Sequence, residues 1–219
     1  MKTEIDLLES TPRIKRDYNA RARSKTPQVI ATAKKFDFEF FDGDRIYGYG
    51  GYRYDGRWLK VAQRMIERYQ LKPDARILDI GCAKGFLLHD FQLLLPECKV
   101  AGIDVSEYAI RRALDEVKPY LTVGCATSLP YADDSFDLVI SINTIHNLPR
   151  AQLVTALKEI MRVTRKDAYV TVDAWRNEDE RTNLEKWVLT AQTMMHVGDW
   201  KVLFDDVGYT GDYYWFIAN

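Results

Sequence analysis

Five short apolar runs, separated by stretches with helical spacing, constrain this chain more than any other feature. Residues 75–80, 99–104, 121–124, 136–142 and 168–174 each read as a strand. Trp58, Val61, Ala62, Met65, Ile66 and Tyr69 recur at helical intervals and stop before Pro73. Residues 85–95 form a second helical run, ended by Pro96, and Ser106 is placed to cap a third with the face Ala109, Ile110, Ala113, Leu114 and Val117. After Pro149 a fourth carries Leu153, Ala156, Leu157, Ile160 and Met161, with Arg162, Arg165 and Lys166 where the helix dipole favours cations. Strands that are apolar along their length are covered on both faces, and strand–helix alternation builds a parallel sheet. The expected class is α/β: a three-layer sandwich with a mostly parallel sheet. Two more helical pieces follow, around Leu184–Met195 and Trp200–Val207; Gly208 ends the second, and residues 212–217 read as a last strand.

With 219 residues, 47% of them apolar, the chain has material for one core. Residues 56–219 are expected to form the domain, and residues 1–55 an N-terminal extension and aromatic lid. Lys plus Arg (31) nearly equals Asp plus Glu (32), so the whole molecule lacks the basic field typical of nucleic-acid binding. The charge is uneven, however: residues 1–35 hold nine Lys/Arg against four Asp/Glu. That segment reads as a solvated terminus or as an arm that meets an anionic substrate. No apolar stretch suits a bilayer span or a secretory leader. Cys82, Cys98 and Cys125 form neither a CxxC pair nor a metal-like cluster with His, which suits a reducing, cytoplasmic setting and no metal.

In parallel sheets ligands lie at the carboxyl ends of the strands, where strand order reverses. The first strand runs into Asp79-Ile80-Gly81-Cys82-Ala83-Lys84-Gly85. Its glycines let backbone approach a ligand, and the helix that follows presents free N–H groups. Asp104 ends the second strand, nineteen residues after Gly85, where a carboxylate can accept both hydroxyl protons of a ribose. A dinucleotide turn starting at Gly81 needs glycines at 83 and 86; this chain has Ala83 and Phe86. A phosphate-binding G-x-x-x-x-G-K-[ST] loop is absent too. An adenosyl ligand without phosphate fits better.

The turn, Asp104, the stretch Gly124-Cys125-Ala126-Thr127-Ser128-Leu129-Pro130-Tyr131 and Asp134-Ser135-Phe136-Asp137-Leu138-Val139 occur in one register. In that register the chain resembles class I, Rossmann-like S-adenosylmethionine-dependent methyltransferases over about residues 75–173, most of all the small-molecule branch of ubiquinone and menaquinone biosynthesis. The resemblance implies S-adenosylmethionine as cofactor. It places Asp79 and Gly81 at the methionine amino group, with Cys82, Ala83 and Gly85 shaping the turn. It puts Asp104 on the ribose, Val105 and Leu129 about the adenine, the Ala126 amide and Thr127 at its rim, and an Asn143 carbonyl near the sulfonium. Cys125 stands where the family often has Asp, which removes a carboxylate from the adenine amino group. Relatives also finish with a two-strand hairpin, for which eleven residues after Gly208 are few, so a shortened C-terminal strand pair is expected.

Methyl transfer from a sulfonium needs alignment and exclusion of water, and a hydroxyl acceptor needs a base as well. His146, after the fourth strand, and Asp173, at the end of the fifth, are the candidate catalytic residues. Tyr52 and Arg57, in the glycine- and tyrosine-rich segment 47–58, are candidates to cover the cofactor and pair with its carboxylate. The expected partner is a polar or anionic small molecule, without nucleic acid and without membrane insertion. No Asn/Asp-Pro-Pro-Tyr motif or Pro-Cys nucleophile of base methylation follows the fourth strand. The alternatives are an RNA- or protein-directed methyltransferase and a non-catalytic cofactor-binding protein of the same fold.

Overall fold

The computed structural model describes residues 2–12 and 15–219; Met1, Arg13 and Ile14 lie outside the described residues, and with Arg13 goes one of the nine cations of the basic segment. The strands are β1 (Arg76–Ile80), β2 (Lys99–Asp104), β3 (Leu121–Val123), β4 (Phe136–Ile142), β5 (Thr164–Trp175), β6 (Met195–His196) and β7 (Asp212–Phe216). They lie in the order β3-β2-β1-β4-β5, with β7 beside β5 and β6 paired to the end of β5. Every ladder among the described strands is parallel. From β1 the chain first steps outward to β2 and β3, then crosses back to β4, so the strand order reverses between β1 and β4. A cleft opens at such a point because the crossovers leave in opposite directions.

The helices are α1 (Tyr18–Ser24), α2 (Pro27–Ala33), α3 (Phe38–Phe41), α4 (Leu59–Tyr69), α5 (Phe86–Leu94), α6 (Glu107–Arg111), α7 (Arg150–Val163), α8 (Glu178–Trp187) and α9 (Val197–Asp206). Alternate strand residues serve opposite faces. Leu78, Ile80, Val139 and Val170 meet Leu153, Leu157 and Ile160 of α7 and Trp200 and Phe204 of α9. Ile77, Leu138, Ile140 and Tyr169 meet Val61 and Met65 of α4 and Leu88 and Phe91 of α5. Each fully buried Leu, Ile or Phe in these two layers contributes about 1.5–3 kcal/mol, and this anchors the strand ends that carry the site.

Three details depart from the sequence reading. Helix α6 stops at Arg111; Ala113 and Val117 stay buried, but on turns. Strand β5 begins at Thr164, directly out of α7, and Met195 lies in β6 rather than on a helix. Gly208, at φ +72°, ends α9, and the chain returns as the single strand β7 parallel to β5. The outer edge of β7 is covered from the other end of the chain: the Ile5 amide donates to the Tyr213 carbonyl and the Tyr213 amide to Thr3. An edge strand covered in this way presents fewer unpaired backbone groups to other chains. No helix among the described residues is long and apolar enough to cross a membrane.

Candidate active site

Gly81 ends β1 at φ +82°, and a Cβ there would lie 2.0 Å from Thr144 Oγ1, so only glycine fits between the turn and the loop after β4. Ala83 takes a left-handed φ of +50°, a conformation that costs an alanine about 1 kcal/mol. In return its amide points at the second strand and donates to Asp104 Oδ2 at 2.8 Å. The Ser106 amide donates to Asp104 Oδ1, also at 2.8 Å, while the Ser106 hydroxyl caps α6. Asp104 is thereby fixed, with a lone pair left on each oxygen. Val105, next to it, is 54% exposed, an apolar surface suited to a flat ring.

Asp79 is 6% exposed, and its carboxylate has no hydrogen-bond or ion-pair partner among the described residues. Burial, followed by the charge of Asp104, lifts its carboxyl to about 7. Burial also raises Asp104, against the pull of its two amide donors. A buried carboxylate beside a half-buried one, with no cation paired to either, suits a positively charged ligand.

The lysine of the glycine turn is engaged elsewhere. Lys84 Nζ reaches Asp42 at 2.6 and 2.8 Å and the Tyr52 carbonyl at 2.7 Å. Asp42 also accepts from the Tyr108 hydroxyl and the Tyr52 amide. Burial raises the Asp42 carboxyl, but Lys84, Tyr108 and the Tyr52 amide outweigh it and hold it below the usual range. This knot ties the tyrosine-rich segment to the glycine turn. Tyr52 stacks on Phe86 with centroids 4.8 Å apart, so the residue that breaks the dinucleotide motif is the platform for the lid. Burial raises both lid phenols; the charge of Asp104 adds to the rise of Tyr49, and that of Asp79 to the rise of Tyr52. Arg57 lies exposed and paired with Asp55 at 2.6 Å, yet close enough to stabilise the anions of Tyr49 and Tyr52.

Across the cleft, Asn143 (φ +51°) is held by Thr171: its amide donates to the Thr171 carbonyl and its Oδ1 accepts the Thr171 hydroxyl. Buried His146 accepts the Asp173 amide on Nδ1 at 3.1 Å and brings Nε2 to 3.5 Å from Asp173 Oδ2. With Nδ1 occupied as an acceptor, the neutral imidazole carries its proton on Nε2, facing the carboxylate. Burial lowers the pKa of His146 against the opposing charge of Asp173; burial raises that of Asp173 against His146 and Arg16. After β3, where the resemblance places the adenine, Cys125 Sγ lies 3.1 Å from Thr127 Oγ1, and Ala126 and Leu129 are buried in the core beneath. Cys82 is buried beside the turn, and Gly85 (φ +74°) starts α5.

Residues 77–167, which hold both carboxylates and His146, match the family model described as methyltransferase domain. The chain carries a class I, S-adenosylmethionine-dependent methyltransferase domain. Over 146 residues it is 32% identical to a tRNA (carboxymethyluridine(34)-5-O)-methyltransferase of Arabidopsis thaliana, covering 66% of this chain and 34% of that one. It is 32% identical over 98 residues to a demethylmenaquinone methyltransferase of a Roseiflexus species, 43% of this chain and 40% of the relative. The crystal structure of the Bacillus YcgJ protein superposes with a TM-score of 0.51 at 21% identity, covering 67% of this chain and 66% of that one, and shows the shared fold. The chain spans less than half the length of the curated relatives it matches. The methyltransferase turn fits its cofactor chemically: partnerless Asp79 suits an ammonium, Asp104 a ribose diol and exposed Val105 an adenine. The lid anchors Asp42, Lys84, Tyr108 and Phe86 escaped the sequence reading. Lys84 within the glycine turn was the available signal, and Asp42 had none.

Proposed function

We propose that this methyltransferase alkylates an oxygen or nitrogen of a small polar acceptor, with Asp173 as the group that takes the acceptor's proton. Asp79 and Gly81 hold the amino acid end of the cofactor, Asp104 its ribose, and Val105, Ala126, Thr127 and Leu129 its base. When bound, S-adenosylmethionine supplies an activated methyl group and its own leaving group. The observation that carries the reading is the buried His146–Asp173 pair at the ends of β4 and β5, on the same sheet edge as Asp79 and Asp104. His146 accepts the Asp173 amide on Nδ1 and faces its carboxylate with Nε2 at 3.5 Å, so it positions Asp173, whose carboxylate stays free to accept a proton. The Asp42–Lys84 knot and the stacking on Phe86 fix Tyr52 beside the glycine turn, a cover that limits water and favours a small acceptor.

A second reading, an RNA acceptor, draws support from the relatives named as tRNA methyltransferases. Incubating the protein with methyl-labelled cofactor and either a deproteinised small-molecule extract or total RNA separates the two. Label in the small-molecule fraction supports the first reading; label in RNA overturns it. In that assay Asp173→Asn is expected to lower turnover about 100-fold or more at saturating cofactor. Undiminished turnover would remove Asp173 from the chemistry.

A further inference from the structure

Three arginines from the N-terminal segment and the lid converge on one indole. The guanidinium carbons of Arg16, Arg21 and Arg45 lie 5.3, 5.5 and 5.7 Å from the ring centroid of Trp187, at the end of α8. Arg16 also lies 4.7 Å from the ring of Phe216, at the end of β7. Arg21 is committed to backbone: it donates to the carbonyls of Trp187, Arg45 and Ile46. Arg45 donates to the Gly48 carbonyl within the lid. Arg16 makes no hydrogen bond or ion pair among the described residues, and no carboxylate pairs with any of the three. Glu185, two residues before Trp187, is engaged by Arg181. Burial and then the charge of Arg45 lower the pKa of Arg21, and Lys25 adds another cation nearby.

An aromatic ring attracts a guanidinium by about 0.5–1 kcal/mol at a partly exposed site but neutralises none of its charge. Three cations about one indole therefore call for a counterion from outside. Arg16 is the one able to reach it, because stacking on Trp187 and Phe216 covers its face and leaves its edge N–H groups free for two parallel bonds to an oxyanion. The position also matters. Phe216, the ring beneath Arg16, pairs with Asp173 in the β5–β7 ladder, so the cluster lies beside the proposed proton acceptor, on the side of β5 away from β1 and β2.

We infer that Arg16, backed by Arg45, binds an oxyanion of the acceptor itself, a carboxylate or a phosphate, so that the substrate is a small acid presented to Asp173. This rests on the small-molecule reading above and narrows it. It gives the basic N-terminal segment a task at the active site, with Trp187 as the rigid wall of the subsite.

The test uses the full chain saturated with S-adenosylhomocysteine, with the indole N–H signal of Trp187 as reporter, assigned by Trp187→Phe. Inorganic phosphate and malonate are titrated separately into wild type, Arg16→Gln and, as a charge control, Lys118→Gln at the exposed far edge. Saturable shifts with one or both anions, at least tenfold weaker in Arg16→Gln and unchanged in Lys118→Gln, are expected; the better anion identifies the group. No saturable shift in wild type, or equal affinity in Arg16→Gln, overturns the inference. A 20-nucleotide single-stranded RNA forms the third arm. RNA binding that phosphate and malonate cannot displace and that Arg16→Gln removes would assign the arginines to nucleic acid and overturn the small acid. Prior titration with S-adenosylhomocysteine reads the cofactor site separately. Its failure to bind would strike the methyltransferase reading, while the anion titrations still decide the arginine cluster.

Discussion

Two buried aspartates on adjacent strands, Asp79 and Asp137, sit at opposite ends of their strands and differ in what surrounds their charge. Asp137, near the start of β4, is 4% exposed; Asp79, near the end of β1, is 6% exposed. Burial raises both. At Asp137 the Arg76 amide, Arg165 and Lys166 outweigh it and bring the carboxyl down to about 2. A register shift in the β4–β5 ladder places one extra β5 residue opposite this position, so Arg165 and Lys166 both reach it, at 2.5 and 3.0 Å. At Asp79 nothing compensates, and the carboxyl rises to about 7. The aspartate at the start of β4 is neutralised within the fold, whereas Asp79 has no such partner, as the proposed ammonium site requires. A perturbed carboxyl without a partner, in a cleft, marks a functional site more reliably than burial alone.

The largest expected effect separates the two ends. If Asp104 holds the ribose as proposed, Asp104→Ala is expected to weaken S-adenosylhomocysteine binding about 100-fold, or about 3 kcal/mol, and also to lower the melting temperature by a few degrees through loss of the Ala83 and Ser106 amide bonds. Calorimetric titration measures it, and unchanged affinity would mean that the ribose lies elsewhere. Next comes the pH response of Asp79. Unfolded, it loses its proton near pH 4; folded, near 7. Between these values the folded state binds more protons, so stability of the free protein falls as pH rises. The slope is about 1.4 kcal/mol per pH unit, or about 2 kcal/mol from pH 5.5 to 7. Cofactor affinity moves the other way, since the ionised form suits the ammonium. Asp79→Asn should flatten both curves; a stability slope that survives the substitution would place the titrating group elsewhere. Third, Asp137→Asn loses the charge-assisted bond from the Arg76 amide, and its half-exposed cations add little. The expected cost is about 1.5 kcal/mol, a drop of about 4 °C in melting temperature, with cofactor affinity intact. Its own pH dependence has the opposite sign: the stabilisation holds above pH 4 and is lost as pH falls through about 2.

The sheet was legible because strands buried on both faces have no choice but to be apolar throughout. Residues 99–104 and 136–142 became β2 and β4 with the bounds the pattern gave. Helix α6 was over-read because Ala113 and Val117 keep helical spacing while buried on turns, so spacing reported burial rather than hydrogen bonding. The start of β5 was missed because residues 164–167 are polar and lie outside the core, though they pair with β4. In the site, contributions local in sequence were legible: the turn, and a carboxylate one strand further on. Contacts between distant segments were not. Asp42 meets Lys84, and Arg16 meets Trp187, through a lid and an arm whose course depends on tertiary packing.

The smallest effect probes Cys125, which stands where the family that the sequence resembles often has Asp. Cys125 points its sulfur at the Thr127 hydroxyl, 3.1 Å away, and a thiol is a weak acceptor. Cys125→Asp would offer the adenine amino group a carboxylate, a gain of about 1 kcal/mol. It would also add a third acidic group to a site where burial and Asp104 already raise Asp79. These terms oppose each other, so the net expectation is a modest gain: three- to fivefold tighter S-adenosylhomocysteine at low ionic strength, measured by the same titration. Unchanged affinity would mean that Thr127 already serves the amino group. Weaker binding would mean that repulsion among carboxylates dominates, and that this edge relies on its cation to balance two acids and no more.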